Sequence, residues 1–262
     1  MTKQGIFRKH EGYDTVARSP GLTEAFIKKR IHPLCFYHPS RIRQAKRVPA
    51  EEFPKALCIT HYPEGQMLIG QTVYIELDYT GKNSTYFTHN YILPKPTSLF
   101  PENIGAILYR TNFLTETKLD QLSELEELPL HESIESGTVG PLPFDINRIQ
   151  QLIHALIDVI KEHHEQKKVY VVLPDLGWVR PVLMWLYSHL PKNTAQALGF
   201  ITYSREPEKK QFLHLVFMEK GSILPGDARV KDDYVFDFYR GYFSENLLDV
   251  ADTRLEESKA SL

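Results

Sequence analysis

Ile146, Ile149, Leu152, Ile153, Leu156, Ile157 and Ile160 recur at the spacing of one helix face. Asp145 stands where an N-cap carboxylate accepts exposed amides and meets the helix dipole favourably. Lys161, His163, His164, Lys167 and Lys168 cluster at the far end, where positive charge suits exposed carbonyls. Val169–Leu173 follows as an unbroken apolar run, the pattern of a strand buried on both faces. A helix with one apolar stripe beside such a strand restricts the chain to layered folds, with helices packed on a sheet. Trp178–Leu190 reads as a second helix with Pro181 near its first turn. Leu198–Ser204 and Phe212–Phe217 read as strands joined by the polar turn Arg205–Lys210, an antiparallel hairpin added to a parallel unit. Asp232–Tyr242 can add a last strand.

The first half has a different period. Gly5–Lys9 and Tyr13–Arg18 are short strand-forming runs around His10-Glu11-Gly12, a hairpin pattern. Leu22–Ile31 has helical spacing, and Pro33 stops it. Residues 35–55 read as a connection, with Arg41, Arg43, Lys46 and Arg47 forming a basic stretch. That stretch suits a solvated surface, or a contact for an acidic partner or a phosphate backbone. From Ala56 to Leu93 the apolar residues alternate, as in Leu57/Ile59 and Val73/Ile75/Leu77, with breaks expected at Gly65, Gly70 and Lys82–Ser84. Ser98–Leu108 can hold a short helix. Residues 115–143 are acidic and rich in Pro and Gly, and read as a surface connection. The expected class is therefore α/β or α+β with a mixed sheet: a strand-rich first half, then helix, strand, helix, strand. One domain of two lobes is expected, about residues 1–110 and 144–245.

Composition removes several functions. Lys and Arg total 31 against 33 Asp and Glu, a net charge of -2, so a global basic field for nucleic acid is absent. Two cysteines, Cys35 and Cys58, rule out a disulfide scaffold and a Cys-rich zinc site. Apolar runs fall far short of the ~20 residues that span a bilayer. The opening residues lack the apolar core of a signal peptide, so a reduced cytoplasmic setting is the expectation.

Two places can carry chemistry. The densest polar cluster is Asp78, Thr80, Lys82, Asn83, Ser84, Thr88, His89 and Asn90. There His89 can act as a general base oriented by Asp78, with Ser84 or Thr88 as nucleophile, the pattern of a hydrolase. The same residue types also build turns and satisfy buried hydrogen bonds between strands. The second place follows the buried strand, where parallel sheets bind ligands beyond strand ends. Asp175, with Arg180 nearby, marks a small-ligand or nucleotide sensor there, although Asp175 also suits a helix start. Neither GxGxxG nor GxxxxGK[ST] occurs, nor HExxH or GxSxG. No metal site and no cofactor is implied by spacing. The aromatic run Tyr234, Phe236, Phe238, Tyr239, Tyr242, Phe243 fits core packing or a contact surface.

Three segments carry a family likeness. Gly12-Tyr13-Asp14-Thr15-Val16-Ala17-Arg18-Ser19-Pro20-Gly21-Leu22 resembles the opening of the GTPase-associated protein 1 N-terminal domain, type 2. Asp78–Asn90 is similar to the central segment of that family, which has a small-residue turn, an aromatic pair and a histidine. Leu190-Pro191 with Leu198–Pro207 is similar to its later strand. The resemblance implies a place in a bacterial conflict or immunity system, antiphage defence included, that contains a GTPase-like NTPase. It implies an adaptor role through protein–protein interaction, with a GTPase-like NTPase as partner; composition, for its part, leaves neither membrane nor nucleic acid as the expected partner. It brings no catalytic residue with it.

Overall fold

The computed structural model describes residues 2–5, 7–8, 12–13, 15, 17–19, 21–35, 37–77, 83–93, 104–110, 113–115, 140–161, 167–207 and 209–244. The chain begins with four short strands, β1 (Thr2–Gly5), β2 (Phe7–Arg8), β3 (Gly12–Tyr13) and β4 (Ala17–Arg18). Thr23 caps α1 (Glu24–Phe26), which widens into a π turn over Ile27–Ile31. Next come α2 (Arg41–Lys46), β5 (Ala56–His61), β6 (Met67–Leu77), β7 (Asn83–Leu93) and α3 (Ile104–Arg110). The second half runs α4 (Ile146–Lys161), β8 (Val169–Val172), α5 (Val179–His189), α6 (Lys192–Ala197), β9 (Phe200–Ser204), β10 (Leu215–Met218), β11 (Tyr234–Asp237) and β12 (Tyr242–Phe243).

Ten of these strands form one mixed sheet in the order β12-β11-β8-β10-β9-β5-β6-β7-β1-β4. β11, β8, β10 and β9 are mutually parallel, and everything from β5 onward is antiparallel. β2 and β3 pair separately, Phe7 opposite Tyr13. The N-terminal hairpin thus exists, with Gly12 inside a strand opposite Arg8.

The sheet has an apolar layer on each face. Val169 and Val171 point to the layer with α3, α4 and α5, while Tyr170 and Val172 point to the layer holding Ile27, Ile31, Leu34, Ile223 and Val230. Alternate residues of β8 thus meet different cores, which is why its sequence is apolar without a break. α4 starts where Asp145 Oδ1 accepts the Asn147 N–H at 2.9 Å, and it buries Ile149, Leu152, Leu156 and Ile157. Ile146 is on the same sequence period but lies 56% exposed, in the uncovered first turn.

Three readings are corrected. The hairpin expected across Arg205–Lys210 does not form: β9 and β10 are parallel neighbours. The connecting chain returns to the start of the sheet, where Phe212 takes a left-handed turn (φ 60°) and His214 donates its N–H to the Gly199 carbonyl at 2.8 Å. The connection 35–55 contains α2, because Ser40 Oγ accepts the Arg43 N–H and Arg47 closes the last turn at φ 52°. Gly70 does not interrupt its strand. It lies inside β6 opposite Asn90, where an added Cβ would sit 2.2 Å from the Asn90 amide oxygen.

Candidate functional site

Leu173 leaves β8, and Asp175 keeps an extended backbone at φ −143° and ψ 136°. Its Oδ1 accepts the Gly177 N–H at 2.6 Å, which caps the single 3-10 turn Leu176–Trp178. That turn runs directly into α5. Pro181 is the third residue of α5, where a missing N–H leaves no intrahelical bond unmade. Arg180 is thereby fixed in the first turn of a helix that starts beside a strand end.

These residues form one side of a cleft of about 600 Å³ at the carboxyl end of β8. Across it stand Ile107 and Leu108 of α3, with Phe113 just beyond that helix. The sheet contributes Leu57 of β5, Gln71 of β6 and Thr202 of β9, the Leu57 N–H donating to Thr202 Oγ1 at 2.8 Å. Arg43 of α2, Pro54 and Lys55 complete it. Arg43 is steadied by a bond from Nη1 to the Glu52 carbonyl. Among the described lining residues, Arg43, Lys55 and Arg180 are cationic and Asp175 is the only carboxylate. Asp175 and Arg180, singled out from sequence as a ligand site, therefore lie on the same cavity.

His89 has a different setting. It sits in β7 opposite Lys3 on one side and Gln71 on the other, and it is 1% exposed. Its Nδ1 accepts the Leu114 N–H at 3.0 Å. Its ring packs 4.5 Å from Tyr91 and 5.9 Å from Phe113, centroid to centroid. Thr88 projects to the opposite sheet face, as adjacent strand residues must, and its Oγ1 lies 2.9 Å from Thr72 Oγ1. The structure thus separates the hydroxyl of Thr88 from the imidazole. Asp78 lies outside the described residues, as does the side chain of Ser84. Gln71 and Phe113 touch both places, so His89 lies behind a wall of the cleft.

The remaining titratable candidates are structural in their surroundings. His214 Nδ1 accepts the Gly199 N–H at 2.9 Å. Burial pushes the thiols of Cys35 and Cys58 up to about 12, which keeps them protonated and unreactive. Among the described residues, no group of three or more His, Cys, Asp or Glu side chains is arranged to hold a metal ion. Nor is any described helix long and apolar enough to cross a membrane. The C-terminal aromatic run divides: Tyr234 and Phe236 are buried, while Tyr239 is 51% exposed.

Sequence reasoning missed Lys55, Gln71 and Phe113 as cleft residues. Nothing in their local patterns marks them, because α3, β5 and β6 meet α5 only through the tertiary fold. Arg43 carried a signal, as one member of the basic stretch before β5.

Residues 2–131 match the model of the GTPase-associated protein 1 N-terminal domain type 2, and residues 137–240 match that of the GTPase-associated protein 1 middle domain. The strand segment Leu190–Pro207 falls in the second match. No curated protein matches the chain.

Proposed function

The chain belongs to the GTPase-associated protein 1 family, and on that premise we propose that it is an adaptor, a rigid platform that engages a GTPase-like NTPase in a bacterial conflict system directed against phage. The supporting observation is the seam between its two matched segments. β5 lies in the N-terminal match and β9 in the middle match, and they pair antiparallel through Cys58–Ile201 and Ile59–Phe200. Both apolar layers draw residues from both segments. An adaptor must hold its surfaces at fixed separations while the partner changes nucleotide state. A sheet running through both units supplies that stiffness, since bending it would break strand hydrogen bonds and open two packed layers.

The placement of His89 favours the same reading over a hydrolase. A general base has to come within hydrogen-bond reach of its substrate. Here the imidazole lies under aromatic rings and takes a backbone amide at Nδ1.

The test is direct association. The purified chain is mixed with each GTPase-like NTPase encoded by its genomic neighbours, in the GDP state and with a non-hydrolysable GTP analogue. Sedimentation velocity should show a stoichiometric complex in at least one state. If the chain sediments alone with every such neighbour in both states, the adaptor assignment fails.

A further inference from the structure

We infer that the cleft between α3 and the start of α5 binds a nucleotide, with its phosphates at Arg43, Lys55 and Arg180 and its base against the apolar wall of Ile107, Leu108 and Phe113. This inference is independent of whether the platform holds a GTPase.

Size comes first. A volume of about 600 Å³ lies inside the range of small-molecule sites, roughly 300–1,000 Å³, and is ample for a nucleotide. Charge comes second. The whole chain carries a net charge of -2, yet the described lining has three cations and one carboxylate. The local excess is therefore opposite in sign to the molecule. The charge of Asp175, whose Oδ1 holds the Gly177 N–H at 2.6 Å, still counts, so the described lining carries a net excess of two cations. Arg43 spends one guanidinium nitrogen on the Glu52 carbonyl, which aims the group and leaves its other donors for a ligand.

Helix polarity adds a third argument. Arg180 occupies the first turn of α5, the end where the aligned peptide dipoles present positive charge, so dipole and guanidinium both favour an anion bound there. The apolar half of the cavity is equally specific. Ile107, Leu108, Leu57 and Val179 are buried side chains that line the cleft, and the aromatic side chain of Phe113 lines it beside them, an apolar surface suited to a planar base. Free phosphate would use the cations and leave this wall wet. An uncharged nucleoside would use the wall and draw nothing from the charge of Arg43, Lys55 and Arg180. The strand-end location agrees, because the carboxyl ends of parallel strands open toward solvent where the crossing connections diverge.

Titration calorimetry on the full chain tests the inference, with AMP, ATP, GTP, adenosine and inorganic phosphate as probes. At least one nucleotide should bind saturably and raise the Tm. Adenosine and phosphate should each bind at least about tenfold more weakly, the cost of losing one half of the contacts. Arg180→Glu and Lys55→Glu alter exposed residues, so both should still fold cooperatively without ligand while weakening nucleotide binding by about tenfold or more. If one of them fails to fold, the other carries the test. No saturable binding of any nucleotide near ~1 mM overturns the inference, as does binding that both charge reversals leave intact. Phosphate binding as tightly as the nucleotides would overturn the nucleotide assignment and leave a plain anion site.

Discussion

Gly199→Ala should unfold the junction between α6 and β9, and the structure sets the size of the effect. A Cβ on Gly199 would lie 2.0 Å from the Phe212 carbonyl oxygen and 3.2 Å from Thr60 Oγ1. Relief requires a backbone movement of about 1.4 Å in a packed interior. Phe212 is not free to make it. Its carbonyl accepts Thr60 Oγ1 at 2.6 Å, and its backbone is already in the left-handed region at φ 60°. Gly199 is tied as well, accepting the N–H groups of His214 and Leu215 at 2.8 and 3.1 Å and donating to His214 Nδ1 at 2.9 Å. Overpacking of this kind costs about 1–3 kcal/mol. Loss of one or two of these hydrogen bonds adds about 1 kcal/mol each. The sum is about 2–5 kcal/mol, which for a chain of this size lowers Tm by roughly 5–20 °C. Urea unfolding followed by Trp178 and Trp185 fluorescence measures it. Gly21→Ala is the control, because an added methyl there meets nothing within 4 Å. If Gly199→Ala falls within about 0.5 kcal/mol of that control, the steric argument is refuted.

Other perturbations separate packing from chemistry. His89→Ala should cost about 3 kcal/mol or more, by opening a cavity between Tyr91 and Phe113 and orphaning the Leu114 N–H; parent-like stability in urea would argue that the ring is held for another purpose. Burial keeps His61 down at about 4 against an ordinary 6.5. The unfolded chain therefore takes up a proton that the fold refuses, so this contribution is complete above pH ~6.5 and is lost as pH falls, by about 2 kcal/mol at pH 5. His61→Gln should flatten that slope in urea titrations run across this range. Cys35 and Cys58 should resist Ellman's reagent at pH ~8 until urea unfolds the chain, whereas prompt labelling of the native protein would contradict their burial.

Much of the architecture was legible in sequence because it follows local periods. The stripe of α4, its Asp145 cap and the apolar run of β8 each report their own surroundings. The alternation through β5, β6 and β7 did the same for the antiparallel half. What failed was decided at a distance. Arg205–Lys210 is polar in the way of any tight turn, yet the chain beyond it brings Phe212 against Gly199 and lays β10 parallel to both β9 and β8. Gly70 looked like a break, yet its missing side chain makes room for Asn90 across the ladder. The cleft divides along the same line. Asp175 and Arg180 were visible as a strand end entering a helix, while Lys55, Gln71 and Phe113 reach the cavity only through long-range pairing.

The pairing of β5 with β9 also bears on how such a protein is inherited. A break between residues 131 and 137 would separate the two matched segments, yet each half would emerge with a raw strand border and half of each oily interior laid open. Such borders invite pairing with foreign chains. Gene rearrangement at that point would thus yield aggregating fragments in place of exchangeable modules, and the two halves are expected to travel through genomes as one unit.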